Sequence, residues 1–494
     1  MKKHNVTEFP FSHTSFIKRL KNGAFWKTFL IGTLLHIPLI LSGCSEPESS
    51  NRIESKETLS EEQINNPKLP TENSVEMQSL VERLNKVVTL AKSKKDFMGN
   101  IAIMANGNVI YQQSIGLDSI EQKKVSTVNS RYRIGSVSKT YTAVLILLAV
   151  EEGKLSLDDT LEKYYPMIHN ASKITIRDLL QHSSGIPSYS KDEDFFQYYT
   201  KAHTREEMLD KFSFYRSDFT PQSKGEYSNT NYYLLGLILE SIYQQPYSEL
   251  ISDKIAKPLK LFNTYEGNQM QISNNESLPY HFSDKGWEQT PQAHSSVTLG
   301  AGSLVSTAID VASFYHALFN GQLLDDDNLQ NMLTVKNNFG LGLVPYTLSN
   351  RQGYGHRGTI DAYKVTAIHF PADNVTLVVT SNASNDNINS LYQQLLKAYF
   401  NDSKIDITVA TLEKFVGRYV DIKDPSSEAH FERSGSTLVH VIQNEFRTDL
   451  TYQGNGKFLF EQMYGPSILF TFSEDGSRLL FEQGDYKGTY KKIK

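Results

Sequence analysis

Apolar residues at Leu80, Val81, Leu84, Val87, Val88 and Leu90 recur with a helical period, so Val75 to Ser93 is predicted as an amphipathic helix. The period then changes. Asn100 to Ala105 and Val109 to Tyr111 read as strands flanking Asn106-Gly107, a pair that accepts the positive φ angles of a two-residue hairpin turn. A second hairpin is predicted late in the chain, Tyr363 to Phe370 and Val375 to Thr380, joined by Pro371-Ala372-Asp373-Asn374. Between them runs a mostly helical insertion: the apolar run Ala143 to Val150, then Ile176 to Gln181, Glu206 to Phe212, Tyr232 to Tyr243 and Thr307 to Phe319. This order predicts an α+β domain, an antiparallel sheet with flanking helices. After Asn401-Asp402-Ser403 the pattern turns to short strands: Phe415 to Val420, Leu438 to Ile442, Thr448 to Tyr452, Lys457 to Gln462, Ile468 to Phe472, Leu479 to Glu482 and Gly488 to Lys492. With Asn455-Gly456 and Asp475-Gly476 as turn pairs, they predict a small all-β, barrel-like domain.

The first part of the chain has a different pattern. Lys2, Lys3, Lys18, Arg19, Lys21 and Lys27 face a single acid, Glu8, and Thr28 to Leu41 is mostly apolar. That is the layout of a secretory signal, too short for a membrane span of about 20 residues and interrupted by Pro38. It closes on Leu41-Ser42-Gly43-Cys44, which resembles the lipobox of bacterial lipoproteins, and Cys44 is the only cysteine of the chain. The resemblance implies cleavage before Cys44, lipidation of that residue, and a protein anchored to the cell membrane or outer membrane on the extracytoplasmic side. An uncleaved anchor with an incidental cysteine is the other reading, and it puts the remainder on the same side. With no second cysteine, no internal disulfide is available. Residues 44–75 are rich in Ser, Glu, Asn, Pro and Lys and read as a flexible tether.

Candidate chemistry begins at Ser136 and Lys139, three apart just before the apolar run. On one helical face, a lysine whose pKa is lowered by burial can take the proton of a serine nucleophile, although a serine there also reads as a cap. Tyr227 and Asn229 lie two apart on a predicted loop before the helix at Tyr232. On extended backbone they point the same way, as a proton relay and an amide for substrate or lysine; a buried tyrosine plus a cap is equally consistent. In Gly355-His356-Arg357-Gly358-Thr359, ahead of the late hairpin, His356 and Gly358 face one side of an edge strand, and Gly358 permits close approach to the backbone. The N–H groups of Ser136 and Thr359 would form an oxyanion hole, worth about 3 kcal/mol per donor in known cases.

Taken together, Ser136-Val137-Ser138-Lys139, Tyr227-Ser228-Asn229 and His356-Arg357-Gly358 resemble the serine beta-lactamase and penicillin-binding superfamily, in its class C, DD-carboxypeptidase and esterase branch. Leu179-Leu180-Gln181-His182-Ser183-Ser184-Gly185-Ile186 and Gly300-Ala301-Gly302-Ser303-Leu304 are similar to further elements of that branch, and Phe415-Val416-Gly417-Arg418-Tyr419 to the opening of a lipocalin-like domain that often follows it. The resemblance implies Ser136 as acylated nucleophile, Lys139 and Tyr227 as proton-transfer groups, Asn229, His356, Gly358 and Thr359 as substrate-binding, and His182 as structural. It also implies four regions: a signal over residues 1–43, the tether over 44–75, the hydrolase domain over 76–403 and the β-domain over 404–494.

The expected activity is an acyl-enzyme serine hydrolase, an esterase or D-amino-acid amidase/esterase acting on cell-envelope components or small esters. DD-carboxypeptidase, weak beta-lactamase and a non-catalytic envelope scaffold are the competing readings. At net charge -5, with 50 basic and 55 acidic residues, nothing points to nucleic acid. There is no His-Glu-x-x-His metal motif and no phosphate-cradling loop, so no metal and no cofactor is expected. Arg357 stands where relatives often carry threonine or serine; strand alternation points it away from the cleft, into a surface ion pair. The aromatic run Asp194-Phe195-Phe196-Gln197-Tyr198-Tyr199 reads first as core and second as a cleft wall.

Overall fold

Asn106 and Gly107 take φ angles of 48° and 77°, the positive pair a tight hairpin requires, and so join two strands at the heart of the molecule. The computed structural model describes residues 74–94, 97–348, 351–384, 388–401, 407–435, 437–442, 446–460, 468–484 and 486–493; Cys44, the signal and nearly all of the tether lie outside them. The strands of the main sheet are β1 (Phe97–Ala105), β2 (Asn108–Ile115), β3 (Val344–Leu348), β4 (Arg351–Ile360), β5 (Tyr363–Phe370) and β6 (Val375–Ser384). They pair antiparallel in the order β3-β4-β5-β6-β1-β2. A short hairpin, Tyr280–Ser283 with Gly286–Gln289, adds one parallel bridge to the end of β6.

The helices that matter for the site are α1 (Val75–Lys94), α2 (Ser138–Glu151), α3 (Asn229–Tyr243), α4 (Ala308–Phe319) and α5 (Ile388–Phe400). Strand alternation divides the sheet into two faces. Ala102, Met104, Val365, Ala367 and Val378 join the helical insertion in one core, while Ile101, Ile103, Ile368, Phe370, Leu377 and Val379 pack with α1 and α5 in another. Helices therefore cover both faces, and β1 is buried throughout. Helix α2 lies inside the insertion and is buried on nearly every side, its first turns carrying Ser138, Lys139, Thr140 and Thr142 and the rest being largely apolar. In α1 the predicted stripe holds at Leu80, Leu84 and Val88, but Leu90 is exposed, because the buried face drifts round to Ala91.

The C-terminal strands form a second sheet of nine strands, nearly closed, since the strands at its two ends are neighbours in the chain, Phe446–Asp449 and Thr451–Gly454. The segment predicted as one strand over Thr448 to Tyr452 is thus two, broken at the buried Leu450. Phe415 ends a helix, Val409–Phe415, rather than starting a strand, and Glu428–Ser434 is a strand the pattern did not reveal. Rings of Phe415, Tyr419, Phe431, Phe458, Phe470 and Phe472 pack together inside. Thr451 Oγ1 donates to Gln393 Oε1 of α5 at 3.1 Å. Among the described residues, no helix is long and apolar enough to cross a membrane.

One buried histidine of the sheet yields a test. His369 on β5 pairs through Nδ1 with Thr376 Oγ1 at 2.8 Å, and its ring stacks 4.4 Å from Phe319. Burial pushes its imidazole from 6.5 down to about 3. Between those values the unfolded chain binds a proton that the folded chain refuses, so stability is lost as pH falls, by about 1.4 kcal/mol per pH unit for this group. Replacing His369→Gln should therefore flatten the acid side of the stability curve by about that slope, whatever it does to stability at neutral pH. Urea unfolding of both proteins at neutral pH and at about pH 5 checks this, and parallel slopes would refute it.

Candidate active site

Ser136 sits in a 3-10 turn, Gly135–Val137, that runs straight into α2, and Gly135 adopts φ 50° to make the bend. Facing this turn is the edge of β4. Its pairing with β3 stops at Val344 opposite Gly355, which leaves the far edge of His356 to Ile360 for the nucleophile turn. The approach is close. A Cβ added to Gly358 would lie 2.0 Å from Ile134 O and 3.1 Å from Ser136 N, and one added to Gly135 would lie 3.1 Å from Thr359 N. The two glycines thus let two backbones, with the amides of Ser136 and Thr359, come together where a side chain would hold them apart.

Lys139 follows Ser136 by one turn and is wholly buried, 0% exposed. Its Nζ lies 3.1 Å from Ser136 Oγ, 2.8 Å from Asn229 Oδ1 and 2.6 Å from Ala301 O. Desolvation lowers its pKa well below the usual 10.5. A neutral amine has two N–H bonds, which match Asn229 and Ala301, and one lone pair, which is left facing the Ser136 hydroxyl. Tyr227 completes the cluster by donating from Oη to Ser136 Oγ at 2.7 Å, and the Lys139 amine lies 4.9 Å from the centre of its ring. Lys139 Nζ, Ser136 Oγ and Tyr227 Oη therefore stand in one hydrogen-bonded line, the order that a proton acceptor, a nucleophile and a second proton carrier require.

Asn229 begins α3 instead of lying on a loop, with Ser228 as the extended residue before it. Its Nδ2 donates to Ser190 Oγ at 2.9 Å and its backbone N to Ser188 Oγ at 3.0 Å, which aims Oδ1 at the lysine. His356 is buried on β4, its ring 6.1 Å from that of Tyr227. Burial pushes its imidazole down to about 3, so it stays neutral. Gly358 and Thr359 occupy the strand edge beside Ser136. All seven residues singled out around the cleft thus fall in one neighbourhood.

Three contributors were missing from the sequence reading. The Ala301 carbonyl belongs to a glycine-flanked turn whose lysine-binding role no side chain advertises. Ser188 and Ser190 are common residue types in a loop, with no pattern to mark them. The third is an ion pair: Arg133 Nη1 lies 3.0 Å from Asp361 Oδ2, both side chains buried, and also donates to Ala293 O at 2.6 Å.

Two expectations need correction. Arg357 is not at the surface; it is 3% exposed, and its guanidinium lies 5.1 Å from the centre of the Tyr346 ring. The aromatic run is not core either. Phe196 is 79% exposed and stacks edge-on against Tyr199, while Phe195, Tyr198 and Tyr199 are half-buried at the border of the helical core.

Residues 80–398 match the Beta-lactamase family model, well over half of the chain. The chain belongs to the Beta-lactamase family, and by family it is a serine hydrolase. Among curated relatives it is similar to Protein flp of Staphylococcus aureus (strain MW2), 25% identical over 343 residues, covering 65% of this chain. The chain spans about two thirds of that relative's length, 66%. Penicillin-binding protein 4* of Bacillus subtilis (strain 168) is 24% identical over 443 residues, 79% of this chain and 94% of the relative. Of solved structures, a D-stereospecific amidohydrolase from Streptomyces sp. superposes with a TM-score of 0.56 at 27% identity, over 66% of this chain and 99% of its own.

The close approach at Gly358 gives a direct test. Gly358→Ala puts a methyl against the Ile134 carbonyl, so β4 must draw back from Ser136; a displacement on the order of 1 Å costs about 100-fold in reactivity. The second-order rate of Ser136 labelling by a fluorophosphonate should fall by that order with the fold intact by circular dichroism. A rate within a few-fold of wild type would mean that the strand edge does not set the site.

Proposed function

We propose that the protein hydrolyses amides or esters through an acyl-enzyme on Ser136, with D-amino-acid amides and esters, or envelope material containing them, as the substrate class. The observation that carries this reading is the Ser136 hydroxyl held between Lys139 Nζ at 3.1 Å and Tyr227 Oη at 2.7 Å. Ser136 Oγ attacks the carbonyl carbon while its proton passes to the neutral Lys139 amine. The negative charge on the carbonyl oxygen is met by the N–H groups of Ser136 and Thr359. Collapse expels the amine or alkoxide, which takes its proton from Tyr227 or Lys139, and water then cleaves the Ser136 ester by the reverse proton path. Asn229 and His356 line the site. Position of the D-stereospecific amidohydrolase among the structural neighbours supports the substrate class.

A second reading, DD-carboxypeptidase with penicillin acylation, is favoured by the match to Penicillin-binding protein 4* over 94% of that relative. Burial of Arg357 weighs the other way, since a guanidinium buried beside the Tyr346 ring is badly placed to grip a substrate carboxylate at the rim. Intact-mass spectrometry after exposure to a fluorophosphonate, a penicillin and a D-phenylalanine ester separates these, with Ser136→Ala as control. The expected outcome is a fluorophosphonate adduct and ester turnover in wild type, neither in the mutant. A penicillin adduct that persists would shift the reading to the carboxypeptidase, and no adduct with any reagent would leave a binding scaffold.

We further propose that Cys44 carries a lipid that anchors the chain outside the cytoplasmic membrane, a reading supported by the residues before it alone. Cys44→Ala expressed as the full chain should leave the membrane fraction and lose labelling by a lipid precursor. Retention of either would count against the anchor.

A further inference from the structure

His182 is read from the sequence as structural, yet its contacts converge on one catalytic candidate. Its carbonyl accepts the N–H of Glu226 at 2.8 Å, and its Nδ1 accepts the N–H of Ser228 at 3.1 Å. Those are the two residues on either side of Tyr227. Its ring lies 4.5 Å from the Tyr227 ring and is backed by Tyr232 at 5.2 Å and Phe339 at 4.9 Å. One residue thus holds the peptide before Tyr227, the peptide after it and the face of its ring.

Local backbone explains how this is possible. His182 follows the short helix Ile176–Leu180 with φ 56°, the left-handed region that few non-glycine residues adopt. The bend turns carbonyl and ring toward the same loop. Because a backbone N–H only donates, Nδ1 must be the bare nitrogen, which fixes the tautomer with its proton on Nε2. The ring is faced by Lys139 of α2, His356 of β4 and the phenols of Tyr227 and Tyr232, with no acid among the groups that bear on it. Glu226, beside Tyr227, is engaged by Lys191 at 2.8 Å and Lys224 at 2.7 Å, and Asp178, four residues before His182, by Thr175, Ser183 and Gln222. Burial holds His182 well below its ordinary 6.5, in agreement with a bare Nδ1.

Resting on the acyl-enzyme reading of Ser136, we propose that His182 is a positioning residue for Tyr227: it clamps residues 226 and 228 and seats the phenol so that Oη meets Ser136 Oγ. It touches no substrate and moves no proton itself.

Asparagine is the informative replacement, because its Oδ1 stands near the place of Nδ1 and it tolerates left-handed backbone. Phenylalanine keeps a ring and removes the acceptor. The rate of Ser136 labelling by a fluorophosphonate is measured for wild type, His182→Asn, His182→Phe, Tyr227→Phe and the double variant His182→Phe/Tyr227→Phe. His182→Phe should lose about 100-fold, the scale of a 1 Å misplacement, and His182→Asn should recover most of it. Adding His182→Phe to Tyr227→Phe should cost little more, since a group that acts only through Tyr227 has nothing left to position. Losses that multiply in the double variant, or an equal loss in His182→Asn and His182→Phe at matched melting temperature, would overturn the proposal. If His182→Phe does not fold, His182→Gln takes its place; its acceptor lies one bond farther out and should fail where asparagine succeeds. Hydrogen exchange at the Glu226 and Ser228 amides supplies a readout independent of activity: both protected in wild type, with Ser228 released in His182→Phe. Protected amides in a wild type that takes no label would mean that the hydrolase reading has failed and the clamp has not.

Discussion

A primary amine with no exposed surface is the constraint from which the architecture follows. Burying Lys139 as a cation would be costly, and the structure meets that cost by lowering its pKa and surrounding it with partners drawn from three separate segments. Ser136 comes from its own helix, Asn229 from the start of α3, and Ala301 O from the turn before Leu304. The long helical insertion is what brings the last two within reach. Its core of Leu, Ile and Tyr keeps water away from the amine, and the same dryness favours the neutral form, whose lone pair would face the serine.

The second requirement is that the sheet reach the nucleophile, and it is met by subtraction. β3 ends its pairing at Gly355, and Gly358 carries no side chain, so β4 presents bare peptide to the Ser136 turn. A strand that continued the pairing, or an alanine at 358, would close the gap proposed for the oxyanion. The site is therefore a seam between the helical insertion, which holds Ser136, Lys139, Tyr227 and Asn229, and the edge of β4, which holds His356, Gly358 and Thr359.

Much of this was legible because periodicity and residue type carry it. Asn106-Gly107 announced its hairpin through the φ angles it permits, and the helices of the insertion appear within a few residues of where their apolar patterns place them. Ser136, Lys139, Tyr227 and His356 were found because side chains with chemistry stand at fixed separations. What stayed hidden was backbone and context. Ala301 acts through a carbonyl that every residue owns. Arg357 was misplaced because alternation gives the face a side chain points to, and not what packs on that face; only the fold puts the Tyr346 ring there. Phe415 looked like a strand start because one apolar residue fits the end of a helix and the beginning of a strand equally well.

The Arg133–Asp361 pair extends the same logic to the frame of the site. A buried ion pair gains little net stability over a well-packed apolar pair, so its value is sought in geometry rather than energy. Arg133 lies on the short strand leading into the Ser136 turn, and Asp361 caps the hairpin just past Thr359, the two backbones whose amides face the cleft. Ala293 is held by both, since Arg133 donates to its carbonyl and its own N–H donates to Asp361 Oδ1 at 2.9 Å. Apolar side chains would tolerate a slide of a fraction of an ångström between the two backbones. Directed hydrogen bonds resist it, because their energy falls steeply with distance and angle. The proposed oxyanion site, with one N–H from each backbone, would be sensitive to that slide, which is a physical reason for a charged pair at a place where apolar packing would otherwise serve as well.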